Sequence, residues 1–226
     1  MNKICKLSAI ALLASSTSLM AQTFSGPYAG ISASVAGFGT DANKTSTGVG
    51  ITGGTNNPNS GNGPVGAIFG LAAIDLGYGF PVSSGMTIAI GATYTPMEAD
   101  FSGKSNDANT GTTHKFTIKN PYTVYIAPTF EINKDTAFFV KAVYSKADVS
   151  TTNVTKAPDD LEGYGGAAGL KVMLNKNAYV QVEAAYTLFD SISATDAPTV
   201  NSTGLRTYTA KDPELVEGRI TIGYKF

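Results

Sequence analysis

The chemically most versatile side chains in this sequence are one histidine and two hydroxyls near it. His114 is the only histidine in the 226 residues, and Ser102 and Ser105 precede it closely. A histidine base beside a serine is the pair that many acyl-transfer enzymes use to activate a nucleophile. No recognisable motif surrounds these residues, and an isolated histidine is usually a surface residue. We therefore expect no catalytic residues and no enzyme, with lipid modification as the least favoured alternative.

Acidic and oxygen-rich stretches form the second kind of candidate site. Asp159, Asp160 and Glu162 could hold a divalent cation that bridges to phosphate groups, although clustered surface acids are usually only solvated. The stretch 105–113 weakly resembles a calcium loop but lacks its glutamate and its spacing. Cys5 is the only cysteine, which excludes a site built from several thiolates. We expect neither a metal nor a cofactor.

A third set of charged side chains is placed regularly rather than clustered. Each of these residues lies within an alternating segment, opposite the main apolar series of that segment. Charges of both signs that share one enclosed face should pair, because an unpaired buried charge is very costly. The set, which we interpret as a lumen charge network, consists of Asp75, Lys141, Lys171, Glu183 and Arg219.

Composition and the first residues bound the class of protein. Sixteen basic and 17 acidic residues give a formal charge of -1, so the chain has no basic excess that would predict a nucleic-acid partner. Lys3 and Lys6 precede an apolar run, and Ala21 follows a small, polar stretch. This order is typical of a secretory signal. We predict a cleaved signal peptide at 1–21 and one domain over 22–226.

The remaining sequence alternates apolar and polar residues with the period of a strand. Most alternating segments have ~10 residues or slightly more, the length that crosses a bilayer at a tilt. Pro121 and Pro128 cannot donate to a ladder, so their strand should bulge or start late. The eight predicted strands are Tyr28–Gly37, Ala67–Tyr78, Met86–Thr95, Ile118–Phe130, Ala137–Asp148, Gly163–Leu174, Ala178–Asp190 and Leu215–Phe226.

Connection lengths and hydropathy decide how these strands assemble. After the signal, no run of ~18 apolar residues predicts a membrane helix, and only helices and closed barrels satisfy every backbone group in lipid. The sequence therefore predicts an all-β, eight-stranded, antiparallel, up-and-down transmembrane β-barrel with four long extracellular loops. The predicted long loops are 38–64, 96–116, 149–162 and 191–213, and the short turns are 79–85, 131–136 and 175–177.

Threading the strands up and down gathers the aromatic residues at two levels. Amphipathic rings at both interfaces are expected for a barrel in lipid. The predicted turn-side belt consists of Tyr28, Tyr78, Phe130, Phe138, Tyr224 and Phe226. The predicted loop-side belt consists of Tyr94, Tyr144, Tyr164 and Tyr186.

Several of these segments also carry a family resemblance. Gly26–Ile31, Phe139–Ser145, Gly163–Leu170 with Val180–Tyr186, and the end Ile220–Phe226 resemble strands of the opacity-type, OmpA-like eight-stranded outer-membrane barrels. The resemblance implies an outer-membrane location after signal cleavage, and a lumen filled by basic and acidic residues. It also implies a C-terminal insertion signal, read by the barrel-assembly machinery and formed here by Ile220, Ile222, Tyr224 and Phe226.

The expected function follows from the size of such a barrel. Eight strands enclose a space just wide enough for side chains, so long charged residues should plug it. We expect a structural or surface-interaction role, adhesin- or opacity-like, exerted through the loops. The expected partners are outer-membrane lipid and lipopolysaccharide, and the protein is expected to be a monomer. A narrow pore for small solutes or ions is the alternative, and a soluble lipocalin-like binder is a third.

Overall fold

The computed structural model describes residues 23–47, 63–96, 98–103, 114–151, 158, 160–196 and 205–226. The predicted signal peptide lies outside these ranges. The described residues form ten strands: β1 Gly26–Thr47, β2 Gly63–Ser83, β3 Met86–Tyr94, β4 Ala99–Gly103, β5 His114–Asn133, β6 Thr136–Thr151, β7 Leu161–Met173, β8 Ala178–Phe189, β9 Ile192–Asp196 and β10 Leu205–Lys225. In this part of the chain, no helix has the length and hydropathy to cross a membrane.

Eight of the strands form a closed antiparallel ring. Neighbours pair in the order β1-β2-β3-β5-β6-β7-β8-β10, and β10 pairs with β1 to close the ring. The closing ladder starts at Tyr28 opposite Lys225 and ends at Thr47 opposite Leu205. The short strands β4 and β9 pair only with β5 and β10, beyond the ends of β3 and β8. The predicted eight-stranded, up-and-down arrangement is therefore confirmed.

The ring is apolar on its outer face and polar on its inner face, the reverse of a soluble barrel. Side chains such as Ile31 and Ile222 point outward and are 68% and 59% exposed. The intervening residues, such as Ser32 and Thr221, are buried inside. An apolar outer band with a polar interior is the arrangement that a bilayer stabilises.

The strands are longer than the hydrophobic alternation predicted. β1 continues to Thr47, β5 begins at His114 and β10 begins at Leu205, so the four predicted long loops are partly strand and their predicted bounds were wrong. Outside the lipid, a hairpin needs only paired backbone groups and no apolar face. We call these strand extensions beyond the outward apolar series the arms. Their residues are mostly polar and therefore show no apolar–polar alternation from which a strand could be recognised.

The two prolines of β5 have different effects on its ladders. The pairing of β5 with β6 shifts between Lys119 and Tyr122, and Asn120 adopts a left-handed φ of 50°. Pro121 thus lies in a bulge, where its missing N–H is harmless. Pro128 lies opposite Ile88 without any shift of register, so the predicted irregularity occurs at the first proline only.

Candidate functional site

The centre of the lumen is occupied by an ion pair between β6 and β8. Lys141 Nζ donates to Glu183 Oε2 over 2.6 Å, and Gln181 Nε2 donates to the same oxygen over 2.8 Å. Both charged residues are 8% exposed. Successive side chains of a strand point to opposite faces. Lys141, Gln181 and Glu183 occupy the alternate positions of β6 and β8 that face the lumen.

A second cation extends this pair across to β10. Arg219 Nη1 lies 3.4 Å from Glu183 Oε1, so one carboxylate joins two cations. The same guanidinium binds Glu217 through Nη2, 2.8 Å from Oε2, and through Nε, 3.1 Å from Oε1. These contacts cross-brace three strands of the wall with charge-assisted hydrogen bonds, which are stronger than neutral ones.

Asp75 on β2 anchors a separate hydrogen-bonded chain. Tyr125 donates its hydroxyl to Asp75 Oδ1 over 2.6 Å. The Tyr28 hydroxyl lies 2.9 Å from the Tyr125 hydroxyl, and because the Tyr125 proton is already committed, Tyr28 is the donor there. Lys141 Nζ lies 4.4 Å from the centre of the Tyr125 ring. This cation–π contact links the Asp75 chain to the Glu183 cluster.

Lys171 is held differently from the other lumen cations. Its Nζ lies 4.6 Å from the ring centres of both Tyr28 and Tyr179, which meet edge to face at 6.3 Å. Within the described ranges, no carboxylate forms a salt bridge with it. Of the five predicted charges, the structure thus joins Lys141, Glu183 and Arg219 directly, reaches Asp75 through a tyrosine, and leaves Lys171 between rings.

Four further lumen residues belong to this network but were missing from the predicted set. Tyr125, Gln181 and Glu217 all lie on the inward parity of their strands, and Glu217 is two residues from Arg219 on the same face. Their inward position in the strand alternation was the sequence signal that could have identified them. Tyr28 was predicted for the turn-side belt, and this was wrong: it is 6% exposed and points inward, because it shares the parity of Ser32.

Inward-facing rings lie against glycines on neighbouring strands. A Cβ added at Gly77 would overlap the Tyr28 ring, one at Gly91 the Tyr125 ring, and one at Gly223 the Tyr179 ring. The glycines are needed because a side chain at any of these positions would displace the ring that braces the network.

The remaining belt aromatics lie on the outer surface. Tyr78, Phe130, Phe138, Tyr224 and Phe226 are exposed on the turn side, and Tyr94, Tyr164 and Tyr186 on the loop side. Tyr144 is half-buried, with its ring centre 5.1 Å from that of Tyr164. Tyr122, opposite Tyr94 in the β3–β5 ladder, is a further exposed ring at the loop-side level.

The last strand presents its predicted insertion residues outward. Ile220, Ile222, Tyr224 and Phe226 are all exposed. The Phe226 N–H donates to the carbonyl of Pro27 over 3.0 Å, and its ring lies 5.2 Å from the Tyr224 ring. The terminal residue therefore takes part in closing the ring against β1.

At the loop-side rim, the acidic residues bind a lysine. Lys146 Nζ lies 2.6 Å from Glu162 and 2.9 Å from Asp160, two residues beyond the tyrosine belt. The hydrogen bond from Lys146 holds the pKa of Glu162 below its usual value, and the bond to Glu162 raises the pKa of Lys146. Asp159 lies outside the described residues. Across the described ranges, no group of three or more His, Cys, Asp or Glu could hold a metal ion.

The structure describes only part of the segment that holds His114, Ser102 and Ser105, the residues considered above as catalytic candidates. His114 is the first residue of β5, with its backbone opposite Gly103, and Ser102 lies opposite Lys115. The histidine is thus in a strand rather than in a loop. Ser105 and the rest of the 105–113 stretch lie outside the described residues.

Above the charge network, the lumen changes character. A cavity of about 90 Å³ has Glu217 and Arg219 at its floor. The residues of its apolar ring, which we call the collar, are Phe38, Phe69, Leu71, Ile118, Phe189 and Leu215. An apolar lumen segment was not predicted, although Phe69 and Leu71 had disturbed the alternation of their strand.

A search of solved structures finds proteins that are similar to this chain at low sequence identity. OprG from Pseudomonas aeruginosa is 14% identical, with 91% of this chain and 98% of that chain covered and a TM-score of 0.51. Neisserial surface protein A is 14% identical, with 89% and 98% covered and a TM-score of 0.49. Ail from Yersinia pestis is 15% identical, with 89% and 99% covered and a TM-score of 0.43. No curated protein sequence matches the chain.

The family assignment rests on a match that spans nearly the whole sequence. The model of the outer membrane protein beta-barrel domain matches residues 7–226. That range includes all ten described strands, eight of which form the closed ring. The chain therefore belongs to the outer-membrane protein β-barrel domain family, and its place is the bacterial outer membrane.

Proposed function

We propose that this protein is a closed-lumen barrel whose role is structural or depends on interactions at the cell surface. The observation that carries the proposal is the cross-bracing of the lumen by Lys141, Glu183 and Arg219. A small barrel leaves little room beyond its inward side chains. With these three residues bridging β6, β8 and β10, the centre of the lumen holds side chains where a diffusion pore would hold water.

The strand arms beyond the loop-side belt support a surface role. β1 and β10 stay paired from Gly39 to Thr47, well beyond the outward apolar series. The arms carry the connections outward on a regular scaffold, and connections on a rigid scaffold are where binding residues concentrate. An adhesin- or opacity-like interaction is the function that this arrangement favours.

Solute uptake by proteoliposomes tests the closed lumen. Vesicles that contain the purified protein should swell in an isosmotic solution of a small sugar no faster than protein-free vesicles. A general diffusion porin reconstituted at equal density is the positive control. Swelling at a rate that scales with the amount of protein would overturn the proposal and establish the narrow pore.

The proposal also includes the absence of catalysis, which can be tested separately. In phospholipase and deacylase assays, the refolded barrel should hydrolyse lipid no faster than the background rate measured with lipid alone. His114→Ala is the matched variant, because this is the only histidine of the chain. Hydrolysis by the native protein that is lost in the variant would show an enzyme instead.

A further inference from the structure

A six-residue pattern occurs twice in the sequence, on opposite sides of the ring. Residues 116–121 read FTIKNP, and residues 208–213 read YTAKDP. The first segment lies in β5 and the second in β10. In the ring order β1-β2-β3-β5-β6-β7-β8-β10, these two strands are four steps apart in either direction. The repeated pattern therefore occupies diametrically opposite positions in the wall.

Both segments hold an unusual backbone conformation directly before their proline. The φ angle is 50° at Asn120 and 46° at Asp212. Among the residues that the structure describes, these are the only two non-glycine residues with a positive φ. Asparagine and aspartate tolerate this left-handed region, but a residue before proline is normally extended. Backbone positions of this kind persist only where their surroundings hold them, and they cluster in switch regions.

The neighbouring strand is broken at the same point beside each segment. β3 pairs with β5 as far as Tyr122, and β4 resumes the pairing at Ile118. β8 pairs with β10 as far as Glu214, and β9 resumes the pairing at Ala210. Counted from the proline, the two breaks have identical offsets. The repeat in sequence is thus also a repeat in strand pairing.

The ladder on the other side of each segment shifts its register in the same way. The β5–β6 register shifts between Lys119 and Tyr122, and the β1–β10 register shifts between Lys211 and Glu214. Each segment is therefore a bulge between the barrel and the arm beyond it. The first arm sheet consists of β4, residues 114–119 of β5 and residues 148–151 of β6. The second arm sheet consists of β9, residues 205–211 of β10 and residues 41–47 of β1.

Side-chain hydrogen bonds, which we call the latches, hold each bulge. The Ser191 hydroxyl, in the break between β8 and β9, donates to Asp212 Oδ1 over 3.1 Å and accepts from the Asp212 N–H over 3.0 Å. At the other bulge, the Tyr94 hydroxyl donates to Asn120 Oδ1 over 3.3 Å. Asn120 Nδ2 in turn donates to Asp148 Oδ2 over 3.4 Å. These contacts are exposed, so water can replace them at a small net cost in free energy.

The two bulges also lie at one level of the barrel, next to the loop-side belt. The belt residue Tyr94 binds Asn120 in the first bulge. The belt residue Tyr186 donates to Glu214 Oε2 over 2.7 Å, on the barrel side of the second bulge. Below this level, the eight strands form a closed ring that the lumen charge network braces. Both interruptions of the wall therefore occur where the chain leaves the membrane.

From these observations we propose that the two bulges are latched hinges, about which the two arm sheets swing relative to the membrane-spanning barrel. Hinges are a few residues at the ends of elements that absorb a change in φ and ψ, and both bulges have this form. In the latched position, the arm sheets hold the surface connections in one arrangement. When a latch opens, its arm sheet moves while the barrel and its closed lumen stay unchanged.

The distance between two nitroxide spin labels measures the swing directly. Cys5→Ser removes the only native cysteine. Ser150→Cys in the first arm sheet and Thr195→Cys in the second carry the labels, and pulsed dipolar spectroscopy in lipid vesicles should give one narrow distance. A second pair, Lys134→Cys with Lys176→Cys, lies in two turns at the other end of the barrel. This turn-side pair reports on the barrel itself.

One substitution at each bulge opens one latch. Ser191→Ala removes both contacts of that side chain with Asp212. Asn120→Gly removes the contacts with Tyr94 and Asp148, and glycine adopts the left-handed φ without steric cost. In each variant, the distance between the arm labels should broaden or gain a second maximum. The distance between the turn-side labels should stay as narrow as in the native protein.

Ser145→Ala is the matched control for the loss of a hydroxyl. Ser145 forms a hydrogen bond of 2.9 Å with Thr123 in the wall below the first bulge, so its loss should leave the distance between the arm labels narrow. A latch variant as narrow as the native protein would overturn the hinge at that bulge. A native distribution already as broad as those of the variants, or equal broadening in Ser145→Ala, would overturn the latches. Because these variants leave the charge network intact, the swelling assay tests the closed lumen independently.

Discussion

At the residue scale, Glu183 is the group on which the lumen network depends most. It accepts from Lys141 and Gln181 and lies within 3.4 Å of Arg219. A buried pair contributes little net stability, because desolvation offsets most of the attraction, but the loss of one partner leaves a buried charge uncompensated. The network should therefore tolerate paired substitutions much better than single ones.

Removal of the Glu183 carboxylate should destabilise the barrel more than the substitution of any exposed residue. We expect Glu183→Ala to lower the free energy of unfolding by about 3–5 kcal/mol, measured by urea titration in lipid vesicles. The double variant Lys141→Met with Glu183→Met should lose less than the single variant. Glu214→Ala, which removes an exposed partner of Tyr186, should cost less than about 1 kcal/mol. Equal losses for Glu183 and Glu214 would count against the network.

Two glycines of β10 give a matched test of the ring packing. Gly223→Ala places a methyl group in the Tyr179 ring, and overpacking of this kind costs roughly 1–3 kcal/mol. Gly218→Ala meets nothing within 4 Å and should change stability by less than about 0.5 kcal/mol. Unfolding titrations of both variants measure the difference. Two indistinguishable variants would show that Tyr179 has room to move.

At the scale of the strands, period-2 alternation predicted the membrane-spanning parts and missed the arms. Alternation arises because one face meets lipid and the other the lumen, so it marks a strand only where both surroundings are present. The arms of β1 and β10 are joined by a backbone ladder and by contacts such as the hydrogen bond from Thr40 Oγ1 to the Lys211 carbonyl, and such pairing requires no apolar–polar alternation. The same limit applies to the collar, since Phe69 and Leu71 make β2 apolar on both faces and blur its period.

The candidate site was predictable in its parity but not in its pairing. Every residue of the lumen network lies on the inward parity of its strand, so residue type and position nominated five of its charges, although Glu217 was left out. Which charges meet depends on strand stagger, and the sequence does not state it: Lys141 on β6 reaches Glu183 on β8 across the strand between them. Tyr28 shows the converse error, since an aromatic residue near a strand end was assigned to the belt against its own parity.

The link between β6 and β7 at the rim should depend on pH. Because the pKa of Glu162 is lowered in the folded protein, its pair with Lys146 stabilises the barrel above the ordinary glutamate pKa. That contribution is lost as pH falls through the folded value. Thermal unfolding should therefore show Glu162→Gln as slightly less stable than the native protein at pH 7, with a difference that shrinks as pH falls below the ordinary glutamate pKa. A difference that grows toward acid would contradict this assignment.

At the scale of the whole molecule, closure of the ring depends on the last residue. Phe226 adds a backbone hydrogen bond to Pro27 and exposes an aromatic ring beside Tyr224. We expect deletion of Phe226 to lower the amount of protein in the outer-membrane fraction while secretion across the inner membrane is unchanged. Lys225→Ala, at the neighbouring position, is the control. Equal outer-membrane levels with and without Phe226 would argue against the insertion signal.

The closed lumen is the central claim, and single-channel recording in planar bilayers tests it most directly. The native protein should give no large, well-defined conductance step. A variant that combines Lys141→Ala, Glu183→Ala and Arg219→Ala removes the cross-brace and should open a path for ions, so conductance steps should appear in it at matched protein density. Large, uniform steps from the native protein, unchanged in the triple variant, would contradict the account.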